Sequence, residues 1–307
     1  MKIKDFIREQ NGIYILEKIL NKDKTWIYLN DNLEVPKEAI EILNRVKDGY
    51  PIEYIFEEVW FYGDKFYVKE GVLIPRDDTE VVVERAINLI NKKCNKECKV
   101  VDCCTGSGVI AIEIAKHTNS KVLATDISDK AIEVARKNIM LSGIKEKVKV
   151  VKADLLDLTG FYNLKDLYDL DLLSVKSRAN QEKMEQNDIL QDSGFDELIQ
   201  EIENFGFEVE KGLIKGDILV SNPPYVENSW KKPNNYEPDI AFFGGDDGLD
   251  IVKKLINYAI TLKYKAVILE IGYNQKKSLS KFLEGKVKSF EFFEDLTGNI
   301  RGVEIIV

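Results

Sequence analysis

Val100-Val101-Asp102-Cys103-Cys104-Thr105-Gly106-Ser107-Gly108 is the stretch that decides the fold. An apolar run ends at an acid, Asp102, and enters a glycine turn. An amphipathic helix, Val109–Lys116, follows at once. A strand, a glycine turn and a helix in that order form the opening unit of an open α/β sheet, where ligands bind at the carboxyl ends of the strands. Gly106 and Gly108 lack Cβ, so the backbone there lets a ligand come close. Taken alone, the turn is equally a tight strand-to-helix connection with nothing bound.

Three more apolar runs end in a polar residue: Lys121–Asp126, Val148–Asp154 and Asp217–Asn222. A helix over Asp129–Leu141, stopped by Gly143, separates the first two. Further on, the pattern predicts helices from Leu249 and from Lys276, and strands over Lys265–Ile271, Val287–Phe293 and Val303–Val307. Strands alternating with helices predict a doubly wound α/β sheet, mostly parallel and covered on both faces. The last two strands are close in sequence and predict an antiparallel edge hairpin. Asp77 and Glu80 have the spacing of a helix-capping box for Val81–Ile90.

Upstream, Ile3, Phe6, Ile7, Ile15, Leu16, Ile19 and Leu20 recur at helical spacing, and Pro36 opens a further helix that Gly49 ends. Val59–Tyr62, the turn pair Gly63-Asp64 and Phe66–Val68 predict a hairpin. The chain therefore divides into a small helical N-terminal domain (residues 1–55), a hairpin and linker (56–77) and a large α/β domain (78–307). The large domain carries an insertion over about residues 160–214, because the third and fourth strands are too far apart for one crossover helix. Within the insertion Ser177–Asn187 is polar, while Phe195, Leu198, Ile199 and Ile202 have the spacing of an amphipathic helix.

Composition excludes several classes of function. The net charge is −9, and Lys165–Gly212 holds 13 acids and 5 bases, which accounts for −8 of it. Neither this segment nor the rest has the basic surplus of a general nucleic-acid binder. No apolar run reaches the roughly 20 residues of a membrane span. Charges interrupt MKIKDFIREQ too early for a secretory leader, so a cytoplasmic protein is expected. His117 is the single histidine. Histidine-based metal sites and catalytic triads are thereby excluded, and no metal is expected. Cys94, Cys98, Cys103 and Cys104 read as reduced thiols. If the adjacent Cys103 and Cys104 both lie on a strand, they point to opposite faces.

The chemistry lies at the strand ends. Asp126, closing the second strand, suits both ribose hydroxyls of an adenosine, and Asp154 suits an adenine amino group. These acids do not separate a nicotinamide cofactor from S-adenosylmethionine. The fourth strand does, because it ends Ser221-Asn222-Pro223-Pro224-Tyr225. Two prolines lock the chain extended and remove N–H donors. What remains is carbonyl acceptors and the Asn222 side-chain oxygen, which together suit an NH2 group bound flat, with Tyr225 able to stack on a planar substrate.

This combination resembles the class I (Rossmann-like) methyltransferases, and more closely the PrmC/HemK family of release-factor glutamine methyltransferases. The likeness runs over most of the chain. It includes Gly49–Ile55, Gly71–Glu80 (with Asp77 in place of a usual proline), Tyr236-Glu237-Pro238, Gly244–Asp250, Leu269–Gly272 and Asp295–Gly298. It implies S-adenosylmethionine held by Cys104 (where the family usually has glycine), Thr105, Gly106, Ser107, Gly108, Asp126, Asp154, Leu155 and Asn222. It also implies catalysis by Asn222, Pro223, Pro224 and Tyr225, and as substrate the glutamine of a Gly-Gly-Gln loop in a peptide chain release factor. The rival reading is a nucleic-acid adenine N6-methyltransferase, which uses the same tetrapeptide on a flipped base but needs a basic surface that this chain lacks.

Overall fold

The structure is a computed structural model that describes residues 1–94, 98–159 and 194–307. They form two compact units, Met1–Glu58 with Pro233–Tyr236, and Val59–Lys232 with Glu237–Val307. The polar stretch Ser177–Asn187 lies outside the described residues.

The first unit is helical: α1 (Ile3–Phe6), α2 (Gly12–Leu20), α3 (Lys24–Leu29), α4 (Lys37–Lys47) and α5 (Ile52–Phe56). Its core gathers Phe6, Ile15 and Leu16, which recur at helical spacing, with Ile27, Ala39 and Leu43. Asp23 caps α3 by accepting the Trp26 N–H at 2.7 Å. Tyr236 joins this unit through an edge-on contact with Tyr50, with ring centroids 4.7 Å apart.

The second unit starts at Val59, within the first strand of the hairpin β1 (Glu58–Phe61) and β2 (Asp64–Tyr67), and continues into α6 (Glu80–Lys93). Asp77 and Glu80 do not form the expected capping box. Asp77–Thr79 is a turn of 3-10 helix, and Glu80 instead accepts the Tyr62 N–H of the hairpin at 2.7 Å. Next come β3 (Lys99–Cys103), α7 (Val109–His117), β4 (Lys121–Asp126), α8 (Asp129–Leu141) and β5 (Val148–Lys152). A helix, α9, is described over residues 194–204. The short hairpin β6 (Glu208–Glu210) and β7 (Leu213–Lys215) follows, then β8 (Ile218–Ser221), α10 (Asp250–Thr261), β9 (Ala266–Glu270), α11 (Lys276–Leu283), β10 (Ser289–Glu294) and β11 (Ile300–Ile306).

Seven strands make one sheet in the order β10-β11-β9-β8-β3-β4-β5. β9, β8, β3, β4 and β5 are parallel, and β11 and β10 continue the sheet antiparallel. The doubly wound sheet with an antiparallel edge is thus present. Strand alternation explains its two buried faces. Val100, Val122, Val220 and Ile268 pack with α6, α7 and α8, whereas Val101, Leu123, Leu219 and Leu269 pack with α10 and α11. α9 joins the second cluster through fully buried Ile202, with Phe195 and Leu198 packed against it.

The register fixes the site. Cys103 pairs with Thr125 on one side and with Ser221 on the other. The residues that follow these three, Cys104, Asp126 and Asn222, therefore emerge side by side at the carboxyl edge. β4 and β8 lie on opposite sides of β3 here, the switch point at which doubly wound sheets bind ligands.

Candidate active site

A cavity of about 220 Å³ lies over these strand ends. Cys104, Thr105, Gly106, Ser107, Asp126, Asp154, Leu155, Asn222 and Pro224 all line it. Gly108, Pro223 and Tyr225 are not among its wall residues. Gly108 instead caps α7, and Ala135 of α8 packs 3.2 Å from where a Cβ on Gly108 would sit. Two non-glycine wall residues are left-handed, Cys104 at φ 59° and Leu155 at φ 59°. Such strain costs roughly 1–2 kcal/mol per residue and gathers at functional sites. Cys104 thus adopts the backbone shape that a glycine would take there. This also corrects the expectation for the cysteine pair. Cys104 has already left the strand, so the sulfurs of Cys103 and Cys104 lie 4.0 Å apart instead of on opposite faces.

Two acids organise the glycine turn. Asp126 Oδ2 accepts the Gly106 N–H at 2.9 Å, and Oδ1 accepts the Ser128 N–H at 2.9 Å. Burial pushes its carboxyl upward, against the pull of these donors. Asp102 is fully buried beneath the turn; its Oδ2 accepts the Thr105 hydroxyl at 2.5 Å and the Ala111 N–H at 3.1 Å. Its Oδ1 has no partner among the described residues. Burial pushes this carboxyl up to about 7.

Between the ordinary value of 3.8 and about 7 the folded chain keeps a proton on Asp102 that the unfolded chain has lost. The contribution of Asp102 to stability therefore declines as pH rises through that window. Buried Glu113 and Glu270, also pushed up to about 7, act in the same direction. Asp102→Asn keeps the shape and removes one titration. Melting curves at mildly acidic and mildly alkaline pH should show a smaller loss on the alkaline side for this variant than for the unaltered chain. An equal loss in both would show that Asp102 is not buried as a proton-holding acid.

The fourth strand end presents open acceptors. Asn222 Nδ2 donates to Thr79 Oγ1 at 3.0 Å. Neither Asn222 Oδ1 nor the Pro223 carbonyl receives a hydrogen bond from the described residues. The Tyr225 hydroxyl donates to Glu270 Oε1 at 2.9 Å, and its side chain packs against the second core cluster. Glycines let the following loop fold back onto the motif: a Cβ on Gly244 would strike the Pro224 carbonyl oxygen, and one on Gly248 the Tyr225 carbonyl oxygen.

Sequence reasoning did not assign Arg76, Thr79, Ile127 or Ile240, all of which line the cavity. For the first two a signal existed, since they lie in the quoted stretch Gly71–Glu80. Arg76 Nη2 grips both oxygens of buried Glu237, at 2.8 and 2.7 Å, and Glu237 also accepts the Ile74 N–H at 3.0 Å. Half-exposed Arg76 and buried Glu237 thus tie the stretch Gly71–Glu80 to Glu237 of the second unit.

Residues 82–166 match the ribosomal protein L11 methyltransferase (PrmA) family. The chain is 31% identical to the release factor glutamine methyltransferase of Clostridium acetobutylicum, over 92% of this chain and 85% of that protein. The chain belongs to the release factor glutamine methyltransferase family. The Clostridium botulinum member is 29% identical, over 94% of this chain and 89% of that one. Among solved structures, the hMettl16 catalytic domain is similar with a TM-score of 0.52 at 16% identity, covering 87% of this chain and 78% of that one. At that identity the likeness is one of fold.

The cofactor of a release factor glutamine methyltransferase is S-adenosylmethionine, and the residues present fit it. At Gly106 (φ 57°) an added Cβ would meet nothing within 4 Å, so the cradle is open where a ligand must approach the backbone. Asp126 has used one lone pair on each oxygen, and a carboxylate offers about four sites, leaving room for two ribose hydroxyls. Asp154 lines the same cavity and is shared with Lys254 at 3.3 Å. No group of residues able to hold a metal occurs among the described residues. No helix among them is long and apolar enough to cross a membrane.

Proposed function

We propose that this chain transfers the methyl group of S-adenosylmethionine to the side-chain amide nitrogen of the glutamine in the Gly-Gly-Gln motif of peptide chain release factors. The observation that carries this reading is a pair of acceptors without hydrogen-bond partners among the described residues, Oδ1 of the cavity-wall residue Asn222 and the carbonyl of Pro223 next to it in the chain, in a chain of this family. An amide nitrogen is a poor nucleophile because its lone pair is delocalised into the carbonyl. Two hydrogen bonds from its NH2 to these acceptors orient it and favour the positive charge that develops on nitrogen. When bound, S-adenosylmethionine supplies a methyl already carried on a cationic sulfonium. What the protein contributes is mainly alignment. Asp126, Asp154 and the turn residues Cys104–Ser107 hold the adenosine side, while Pro224 and Asn222 face the acceptor side. The substrate places the reaction in the cytoplasm.

The test is mass spectrometry of a purified release factor after incubation with this protein and S-adenosylmethionine. One methyl on the Gly-Gly-Gln glutamine is expected, and duplex or single-stranded DNA offered in its place should stay unmodified. Methyl on adenine with none on the release factor would overturn the reading in favour of the nucleic-acid alternative. The net charge of −9 supports the protein substrate.

A further inference from the structure

We infer that Thr79 and Glu270 are positioning residues that fix the orientation of the Asn222 amide, so that its oxygen and not its nitrogen faces the acceptor NH2; this rests on the function proposed above. The three residues come from distant parts of the second unit; Thr79 and Asn222 line the cavity, and Glu270 is not among its wall residues. Thr79 is 3% exposed and Glu270 1% exposed, so neither exchanges its partners for water. Asn222 Nδ2 donates to Thr79 Oγ1 at 3.0 Å. The Thr79 hydroxyl in turn interacts with the Glu270 carboxylate, whose Oε2 has no donor at full hydrogen-bond distance among the described residues. Tyr225, the last residue of the tetrapeptide, donates to Glu270 Oε1 at 2.9 Å.

Counting protons settles the direction of each bond. A hydroxyl has one proton to give, and an ionised carboxylate only accepts. An ionised Glu270, close to the Thr79 hydroxyl though not at full hydrogen-bond distance, attracts that proton electrostatically and leaves the oxygen of Thr79 facing Asn222 as an acceptor. An acceptor at that point requires the NH2 end of Asn222, which turns Oδ1 toward the cavity. The reversed amide would set Nδ2 against the substrate NH2, donor against donor, and would leave a buried acceptor unpaired.

The arrangement depends on the charge of Glu270. The ionisable groups facing it are Tyr225, Arg301 and Asp78, and Arg301 is itself held by Asp78 at 2.8 Å and Asp295 at 2.9 Å. Burial dominates over the pull of these groups and pushes the Glu270 carboxyl up to about 7. Once protonated, Glu270 becomes a donor. Thr79 can then turn its own proton to Asn222, and the amide is free to flip. Turnover should thus fall on the acid side with a midpoint near 7, and Glu270 should be the group responsible.

The experiment measures kcat on a release factor, KM, cofactor affinity and the pH profile for the unaltered chain, Thr79→Val, Thr79→Ser and Glu270→Gln. Thr79→Val, nearly the same shape without the hydroxyl, should lower kcat about tenfold or more at unchanged cofactor affinity. Thr79→Ser should restore most of it. Glu270→Gln should lower kcat and lose the acid limb. A second readout needs no substrate. The Asn222 side-chain amide protons, followed by NMR, should shift with pH in step with Glu270, and Glu270→Gln should abolish that shift. Full kcat in Thr79→Val, an acid limb retained in Glu270→Gln, or amide protons indifferent to pH would each overturn the inference. An unaltered chain that leaves the release factor unmethylated speaks against the proposed function instead, and the amide protons still decide the positioning roles.

Discussion

Asn222→Ala should lower kcat for amide methylation by at least about 10²-fold, with the melting temperature near that of the unaltered chain and cofactor affinity changed only a few-fold. The fold should survive because Asn222 is partly exposed at the cavity wall and its one hydrogen bond goes to the Thr79 hydroxyl at 3.0 Å. That hydroxyl keeps its interaction with Glu270 when the asparagine is removed. On the proposed mechanism the substitution removes an acceptor that favours the positive charge developing on nitrogen, so kcat should change more than KM. Asn222→Asp is the sharper companion, since it keeps an acceptor oxygen but sets a carboxylate where Nδ2 had been the donor to Thr79. Single-turnover methylation with saturating cofactor would show the effect directly. A rate within a few-fold of the unaltered chain in Asn222→Ala would remove Asn222 from the chemistry.

Local rules made much of this molecule legible. The turn after Val100–Asp102 signals itself through Gly106 and Gly108, and the apolar runs that follow it appear as strands within two residues of where the sequence ends them. Asp126 closes β4 as expected; β5 stops at Lys152, two residues before Asp154. What the sequence hid rests on long-range pairing. Asn222 and Thr79 are 143 residues apart, and Ile74 and Glu237 are 163 apart. No periodicity reports such contacts, because periodicity records which face is buried and not what it meets. Glu270 shows the same limit. In the sequence it stands only as part of Leu269–Gly272 near the end of an apolar run, and only the packed neighbours reveal that it receives the Tyr225 hydroxyl. Local rules also failed where a backbone left its element one residue early. The opposite-faces argument for Cys103 and Cys104 assumed extended backbone at both, and Cys104 is left-handed. The capping box failed for a related reason: a 3-10 turn precedes α6, which frees Glu80 to reach the hairpin.

Asp126→Ala should weaken S-adenosylmethionine binding by roughly tenfold to a hundredfold, the range set by losing a charged hydrogen bond worth about 1.5–3 kcal/mol. Part of this loss would be direct, from the acceptor offered to the ribose hydroxyls. A second part would be indirect. The carboxylate also receives the Gly106 and Ser128 N–H groups, each at 2.9 Å, and so holds the glycine turn against the end of β4. Alanine releases both donors, and the glycine turn loosens. Asp126→Asn separates the two parts. It keeps one side-chain oxygen for a backbone donor, but it loses the charge and turns one acceptor into a donor. If the ribose contact dominates, the asparagine and alanine variants should bind equally poorly by calorimetry. If the turn dominates, asparagine should recover a substantial share of the affinity. Both variants should methylate at a near-normal rate once cofactor is saturating, because neither alters the acceptors at the end of β8. Unchanged affinity in Asp126→Ala would mean that the adenosine does not lie at the end of β4.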